Sequence, residues 1–284
     1  MTTEPALSGS AELSDLSDQT AEFYDISNLI LVELWDENFH QGYWLSADDE
    51  SSNKVATDRL TDLLIEKSGL SAGGRVLDVG CGIGTSAFRL AEATPAQVVG
   101  ISNNQAQIDE ANRRATERGL AGRVAFEYAD VLALPYPDAS FDVVWVFEAL
   151  MHMDRTRTLR EIRRVLRPGG RVVITDLLQH GELAGEDARL IHEHMAEMQA
   201  SPLLDADAYR ALVAGAGLEL AELSDISEHT GKTARRVYDA VNERYDELVA
   251  KYGAEAAGLL EVFRNPIGLL PQMGYLIAVA HRPA

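Results

Sequence analysis

The chain has little of what would tie it to a membrane, a disulfide framework or an oxidising compartment. It contains a single cysteine, Cys81, so no internal disulfide can form. Its apolar runs are far shorter than the roughly 20 residues that a membrane-spanning helix needs. No basic segment followed by an apolar run opens the chain, as it would in a secretory leader. We therefore expect a cytoplasmic protein in a reducing compartment.

Positive charge is also scarce. Lys and Arg together number 25 against 45 Asp and Glu, and the formal net charge is −20. Such a chain is repelled by nucleic acid and by anionic membrane surfaces, so we expect neither as a partner. A small molecule is the expected partner, and the sequence leaves a homodimer open. Only 4 of the 25 basic residues are Lys, a composition that fits a GC-rich bacterial genome.

The acidic excess is concentrated at the start of the chain. Residues 1–53 contain 12 Asp and Glu and no Lys or Arg. Residues 1–18 have too few apolar side chains to form a core, and we interpret them as a disordered acidic arm. Residues 19–53 are rich in aromatic and aliphatic side chains, which predicts a helical cap that folds over the rest of the protein.

From residue 54 onward, short β-branched segments alternate with amphipathic helical patterns. This order is typical of βαβ units around a mostly parallel sheet, so we predict an α/β fold. In such sheets ligands bind at the carboxyl ends of the strands. We assign residues 54–180 to the core, 181–216 to lid helices with one helical stretch over about 186–214, and 217–284 to the remaining strands with inserted helices.

The segment VLDVGCGIGTSAFRL, residues 76–90, carries the strongest chemical signal. Its glycines, Gly80, Gly82 and Gly84, allow a tight turn out of a strand and a close approach of the backbone to a ligand. The spacing differs from the G-x-G-x-x-G of dinucleotide-binding folds, and no Gly-Lys-Ser/Thr follows as in a P-loop. Nicotinamide and P-loop nucleotides are therefore disfavoured.

Three segments in order, VLDVGCGIG, YADVLALPYPDASFDVVW and REIRRVLRPGGRVVITD, resemble those of class I S-adenosylmethionine-dependent methyltransferases. FYDISN, FHQGYW and GYLIAVAHRP resemble the subgroup that tailors small natural products, including the rebeccamycin sugar O-methyltransferase type. The resemblance implies a Rossmann-like, doubly wound sheet of seven strands, mostly parallel with an antiparallel last strand, under a helical cap. It also implies S-adenosyl-L-methionine as cofactor, no metal, and a polyketide or glycoside acceptor.

The resemblance also assigns residues to parts of the cofactor. Asp78 and the glycine-loop backbone would face the methionine end, and Asp130 would accept from the adenine amino group. The ribose site departs from the broad family, because Ser102 stands where an acid is common and Gln107 follows. Tyr24, Tyr43 and Trp44 would either close over the methionine and sulfonium of the cofactor or belong to the cap core. The candidate cofactor-binding residues are Tyr24, Tyr43, Trp44, Asp78, Gly80, Cys81, Gly82, Gly84, Ser102, Gln107, Asp130, Val131, Leu132 and Glu148.

The stretch FEALMHM departs from the family at the catalytic position. Sugar O-methyltransferases of this type carry two adjacent histidines here, and the first is thought to act as general base with an Asp after the fifth strand. In this chain Met151 replaces the first, His152 is the second, and Asp176 is the acid. Neighbouring helical residues point about 100° apart, so His152 needs a local shift to take the place of Met151.

This departure leaves three functions open. The first is methyl transfer, expected at an oxygen of a secondary metabolite and catalysed by His152 and Asp176. The second is a methyltransferase-fold cyclase of the spinosyn-pathway type, whose pocket needs shape and apolar walls, which Met151 suits. The third is a non-catalytic partner subunit, which the intact cofactor loop disfavours.

The charge and aromatic pattern predicts where the chain tolerates truncation. Deleting residues 1–18 should leave the affinity for S-adenosylmethionine within about twofold, because this segment has no aromatic side chains to cover a site. Deleting residues 1–44 should abolish it. Isothermal titration of both truncated proteins makes the comparison, and loss of binding in the shorter deletion would contradict the boundary.

Overall fold

The computed structural model describes residues 38–71 and 73–284, together with residues 30 and 33–35. Seven strands form one sheet in the order β3-β2-β1-β4-β5-β7-β6. Neighbouring strands from β3 to β5 are parallel, and β7 runs antiparallel to both β5 and β6. The strands are β1 Arg75–Val79, β2 Gln97–Ser102, β3 Val124–Tyr128, β4 Phe141–Phe147, β5 Leu166–Gln179, β6 Glu219–Asp225 and β7 Met273–His281.

Helices follow the parallel strands and cover both faces of the sheet. Several begin at a side-chain cap, as where Asn104 accepts from the Gln107 amide and Asp154 from the Arg157 amide. The helices are α1 Asn53–Ser68, α2 Thr85–Ala93, α3 Gln105–Glu117, α4 Arg155–Val165, α5 Gly185–Glu197, α6 Ala206–Gly215, α7 Ser227–Thr230, α8 Lys232–Tyr252 and α9 Ala254–Arg264.

The sheet is buried on both sides, as its near-continuous Val, Ile and Leu content requires. One face packs with α4 and α6, around Val144, Ile174 and Tyr209. The opposite face packs with α1, α2 and α3, around Leu64, Phe88 and Trp145. A third cluster joins Trp35 and Trp44 to α8 and α9, and a fourth holds α5 against the 3₁₀ turn Pro266–Leu269.

The α/β fold with seven strands and an antiparallel last strand is confirmed. The helical stretch expected over about 186–214 is wrong in one respect, because α5 and α6 are separated by residues 198–205. We call this segment the lid linker. Residues 1–29, which include the predicted acidic arm, lie outside the described residues. Across the ranges described above, no helix combines the length and apolarity needed to span a membrane.

Candidate active site

A cleft of about 710 Å³ opens at the carboxyl ends of β1, β2 and β4. Its volume is in the range of small-molecule sites. The glycine loop, the end of β2 and residues 129–132 form one part of its wall. The other part is formed by residues 147–154, the lid linker and residues 38–40. The carboxyl edge of the sheet is therefore covered by three segments that are distant in sequence: residues 38–40, residues 147–154 and the lid linker.

The glycine loop turns sharply because it folds back onto β2. The amides of Gly80 and Cys81 donate to the Ile101 carbonyl at 2.9 and 3.0 Å. Gly82 has a φ of +53°, and a Cβ there would meet nothing within 4 Å, so conformation alone favours glycine. Gly84 has a φ of +84°, and its Cβ would come within 2.4 Å of the Phe126 ring. Gly80, Cys81 and Gly82 line the cleft, whereas Gly84 shapes the start of α2.

Asp78, near the end of β1, is a buried acid that lines the cleft. Burial raises the pKa of its carboxyl group from 3.8 to about 7. No group in the described ranges donates a hydrogen bond to this carboxylate or forms an ion pair with it. A buried charge without a partner is costly, so the site is suited to a ligand that brings a cation.

Ser102 and Gln107 come together in the same wall. The Ser102 hydroxyl donates to the Gln107 side-chain oxygen at 2.9 Å and accepts from the Asn104 amide at 3.1 Å. Both side chains are buried and line the cleft. They therefore present fixed polar groups where sequence reasoning expected the ribose.

Asp130 lies at the cleft with Val131 and Leu132. Its Oδ1 accepts from the Leu132 amide at 2.8 Å and so caps the 3₁₀ turn Val131–Ala133. The side chain is exposed, and Oδ2 is not used by the cap. The loop-capping role and a hydrogen bond to adenine are therefore compatible in this geometry.

Met151 and His152 both line the cleft, from the 3₁₀ turn Leu150–His152. Met151 is buried, and its carbonyl accepts from the Ser201 amide at 2.8 Å. The His152 Nδ1 contacts the Gln199 carbonyl at 3.0 Å. Burial, assisted by the charge of Arg155, lowers the pKa of His152. The imidazole therefore stays neutral at physiological pH, as a proton acceptor requires.

None of the contacts described for Asp176 is with His152. It is fully buried on β5 and is not part of the cleft wall. Its carboxylate accepts from the Leu177 amide at 2.8 Å and the Tyr209 hydroxyl at 3.3 Å, and lies 3.9 Å from Nε of Arg155. Burial raises its pKa to about 6. The structure thus separates the two residues that sequence reasoning joined.

Glu148 lines the cleft and also joins two distant segments. Its Oε1 accepts from the Gln41 amide at 2.6 Å and from the Tyr275 hydroxyl at 2.5 Å. Burial raises its pKa to about 7, and its φ of +50° is rare for a residue with a side chain. Glu148 therefore holds the loop after residue 40 against β7, beside any role toward a cofactor.

Tyr43 and Trp44 are not part of the described cleft wall. Tyr43 stacks on His229, with ring centroids 4.3 Å apart, and Trp44 is buried with Arg236 over its ring at 5.1 Å. Trp44 belongs to the cluster with Trp35, α8 and α9, and Tyr43 packs against the cluster on the α1, α2 and α3 side of the sheet. Tyr24 lies outside the described residues.

Sequence reasoning missed two parts of the wall. Asn38 and His40 are buried and line the cleft, with the His40 ring stacked on Phe147 at 4.1 Å. The FHQGYW motif contains no local signal that its histidine faces the cleft. The lid linker lies within the stretch that the sequence pattern predicts as helix, although Pro202 in it indicates a break.

Comparison with known proteins identifies the family. Residues 70–237 match the sequence-family model of a methyltransferase domain. The methyltransferase GfsG of Streptomyces halstedii is 37% identical over 98% of this chain and 99% of its own. The 27-O-demethylrifamycin SV methyltransferase of Amycolatopsis mediterranei is 40% identical over 92% of this chain and 95% of its own. This chain belongs to the methyltransferase family.

Among solved structures, the methyltransferase resembles the [4+2]-cyclase SpnF, with a TM-score of 0.84 and 32% identity over 94% of this chain and 96% of the other. S-adenosylmethionine is the cofactor of this methyltransferase, and the cleft fits it. The Asp78 carboxylate, which has no partner among the described residues, matches its ammonium group, and Gly82 leaves room for a ligand beside the backbone. No cluster of metal-ligating side chains occurs in the part of the chain that the structure describes.

Replacing Asp78 with Asn should have opposite effects on binding and on stability. Removal of the charge should weaken S-adenosylmethionine binding about 10- to 100-fold, since charge-assisted contacts are the strong ones. Because the folded-state pKa is raised above the unfolded value, ionised Asp78 destabilises the ligand-free protein increasingly from about pH 4 to pH 7. The variant should therefore be more stable at pH 8, by on the order of 1–3 kcal/mol.

Titration calorimetry and urea unfolding measure the two effects. Asp142→Asn is the matched control, because Asp142 is a carboxylate on the same sheet that accepts from the Arg75 amide outside the cleft. It should leave cofactor affinity unchanged. Full affinity in Asp78→Asn would contradict the assignment of Asp78 to the cofactor.

Proposed function

We propose that this methyltransferase transfers a methyl group from S-adenosylmethionine to an oxygen of a bulky secondary metabolite, a polyketide or a glycoside. The Amycolatopsis relative is named as a methyltransferase of 27-O-demethylrifamycin SV, and it aligns over 92% of this chain. The acceptor side of the cleft is rich in methionine, with Met151, Met153 and Met198 in its wall. Flexible thioether side chains suit an irregular apolar ligand.

The cofactor side is proposed from the residues that line it. Asp78 would hold the ammonium group, Ser102 and Gln107 the ribose hydroxyls, and Asp130 with the neighbouring backbone the adenine. Bound S-adenosylmethionine supplies an electrophilic methyl group. The chain's task is then to hold the acceptor oxygen in line with that group and to exclude water.

His152 is the proposed general base, and its contact with the Gln199 carbonyl is the observation that carries this role. A carbonyl can only accept, so Nδ1 carries the proton and Nε2 is the nitrogen able to take one. A backbone carbonyl thus fixes the tautomer that an aspartate fixes in many other enzymes. His152 would receive the acceptor hydroxyl proton as the oxygen–carbon bond forms and the sulfonium–methyl bond breaks.

A cyclase function is the second candidate. The similarity to SpnF extends over almost the whole chain, and buried Met151 replaces the family's first histidine. A pocket that only shapes a reacting polyketide would need no base. The cytoplasmic location, the homodimer and the domain boundaries expected from the sequence stay predictions.

His152→Ala distinguishes the two functions. The assay uses S-adenosylmethionine and a panel of hydroxylated polyketides that includes 27-O-demethylrifamycin SV. The turnover of the variant should fall about 10-fold or more, because a general base is lost. Its cofactor affinity should stay within about twofold. In the unchanged protein the acid limb of the rate should lie below pH 6.5, because burial lowers the pKa of His152.

His192→Ala is the control, since His192 is exposed on the lid helix α5. Met151→His should be tolerated by a methyltransferase but should damage a cyclase, because it places a polar ring in an apolar wall. The readouts are S-adenosylhomocysteine and methylated product. Cyclised product without S-adenosylhomocysteine, unaffected by His152→Ala, would overturn methyl transfer.

A further inference from the structure

The lid linker, residues 198–205, is held to the rim of the cleft by backbone contacts. We define the rim as residues 150–155, which run from the 3₁₀ turn into α4. Each contact uses a backbone amide or carbonyl of the linker. The rim therefore holds the linker backbone and does not depend on the linker side chains. The contacts are Ser201 N to Met151 O at 2.8 Å, His152 Nδ1 to Gln199 O at 3.0 Å and Arg155 Nη1 to Pro202 O at 2.7 Å.

Gln199 turns the linker toward His152. The amides of Gln199 and Ala200 donate back to the carbonyls of Ala196 and Met195, which is the hydrogen-bond pattern of a Schellman end to α5. Glycine usually fills the left-handed position of this motif, but here Gln199 does so with a φ of +54°. A non-glycine residue held in this conformation must be fixed by its surroundings.

Arg155 and Asp176 form a buried charge pair at the rim, and Arg155 contacts the linker. Arg155 is 9% exposed and Asp176 is 0% exposed, so both charged groups are largely shielded from solvent. The guanidinium Nη1 donates to the Pro202 carbonyl, and Nε, which has no hydrogen-bond partner among the described residues, forms an ion pair with the Asp176 carboxylate at 3.9 Å. The same carboxylate accepts from Tyr209 on α6, the helix that begins where the linker ends. Asp176 is thus connected to the linker on both sides.

We propose that Arg155 and Asp176 are positioning residues that hold the lid linker where the Gln199 carbonyl orients His152. Asp176 keeps the guanidinium in place, Arg155 holds Pro202, and the linker in turn fixes the base. Asp176 therefore acts on catalysis through the lid and not by a hydrogen bond to His152. The inference rests on the proposed function for the role of His152, but the contact chain to the linker stands independently of it.

The direct test is amide hydrogen exchange of the S-adenosylhomocysteine complex. In Arg155→Met, peptides that cover residues 198–204 should exchange about 10-fold faster or more, because the linker loses its donor and opens locally. Arg163→Met is the matched control. Arg163 lies on the same helix and donates to the Gly217 carbonyl at 2.9 Å, away from the linker. It should leave these peptides unchanged.

A double variant separates positioning from stability. Arg155→Met or Asp176→Asn alone disturbs a buried charge pair, and either should lower the melting temperature. Arg155→Met with Asp176→Asn removes both charges and should recover much of the melting temperature. The linker should still exchange fast, because Pro202 has no donor. A merely structural pair predicts that protection returns together with stability.

Turnover provides the second readout. The single and double variants should lose a similar factor in kcat, about 10-fold, with the KM for S-adenosylmethionine nearly unchanged. Tyr209→Phe removes a hydrogen bond to Asp176 without removing a charge, and it should show a smaller loss in kcat. It replaces Asp176→Asn in the comparison if that variant does not fold. Unchanged linker exchange in Arg155→Met, or a severe kcat loss confined to Asp176→Asn, would overturn the proposal. Fast exchange in a protein that transfers no methyl group would instead contradict only the proposed function.

Discussion

A carboxylate is buried at the carboxyl end of β1 with no cation beside it in the described residues. Asp78 is only 2% exposed, and its neighbours are the glycine loop and the ends of β2 and β4. Such a group makes the ligand-free protein less stable than it would be with a neutral side chain. This unfavourable charge lies at the carboxyl edge of the parallel sheet, where ligands bind in such folds, so we expect ligand binding and stability to be opposed at this residue.

The rest of the site is arranged around that edge by segments far apart in sequence. Glu148 joins the loop at residue 41 to Tyr275 on the last strand, and the lid linker is held to the rim through backbone carbonyls. Few of these contacts require a particular side chain on both partners. The cleft wall is therefore held together largely through backbone groups.

Much of the fold followed from local patterns. Alternating strand-like and helical patterns predicted the α/β sheet, and the glycine motif predicted a tight strand-to-helix turn after β1, because such turns have strict conformational requirements. The end of α5 was missed because Gln199 occupies the position where glycine usually marks a helix end. Asp176 was linked to His152 by family pattern alone. Its contacts with Arg155 and Tyr209 depend on how helices pack on the sheet, which no local pattern encodes.

The titration of the Asp78 carboxyl group, followed by carbon NMR with and without S-adenosylhomocysteine, tests the central claim most directly. That ligand carries the same ammonium group as the methyl donor. In the free protein the carboxyl group should titrate near pH 7, and in the saturated complex its pKa should fall well below that value, because a cation then lies beside it. A carboxyl group that still titrates near pH 7 in the complex would show that the ammonium lies elsewhere, and would contradict the account.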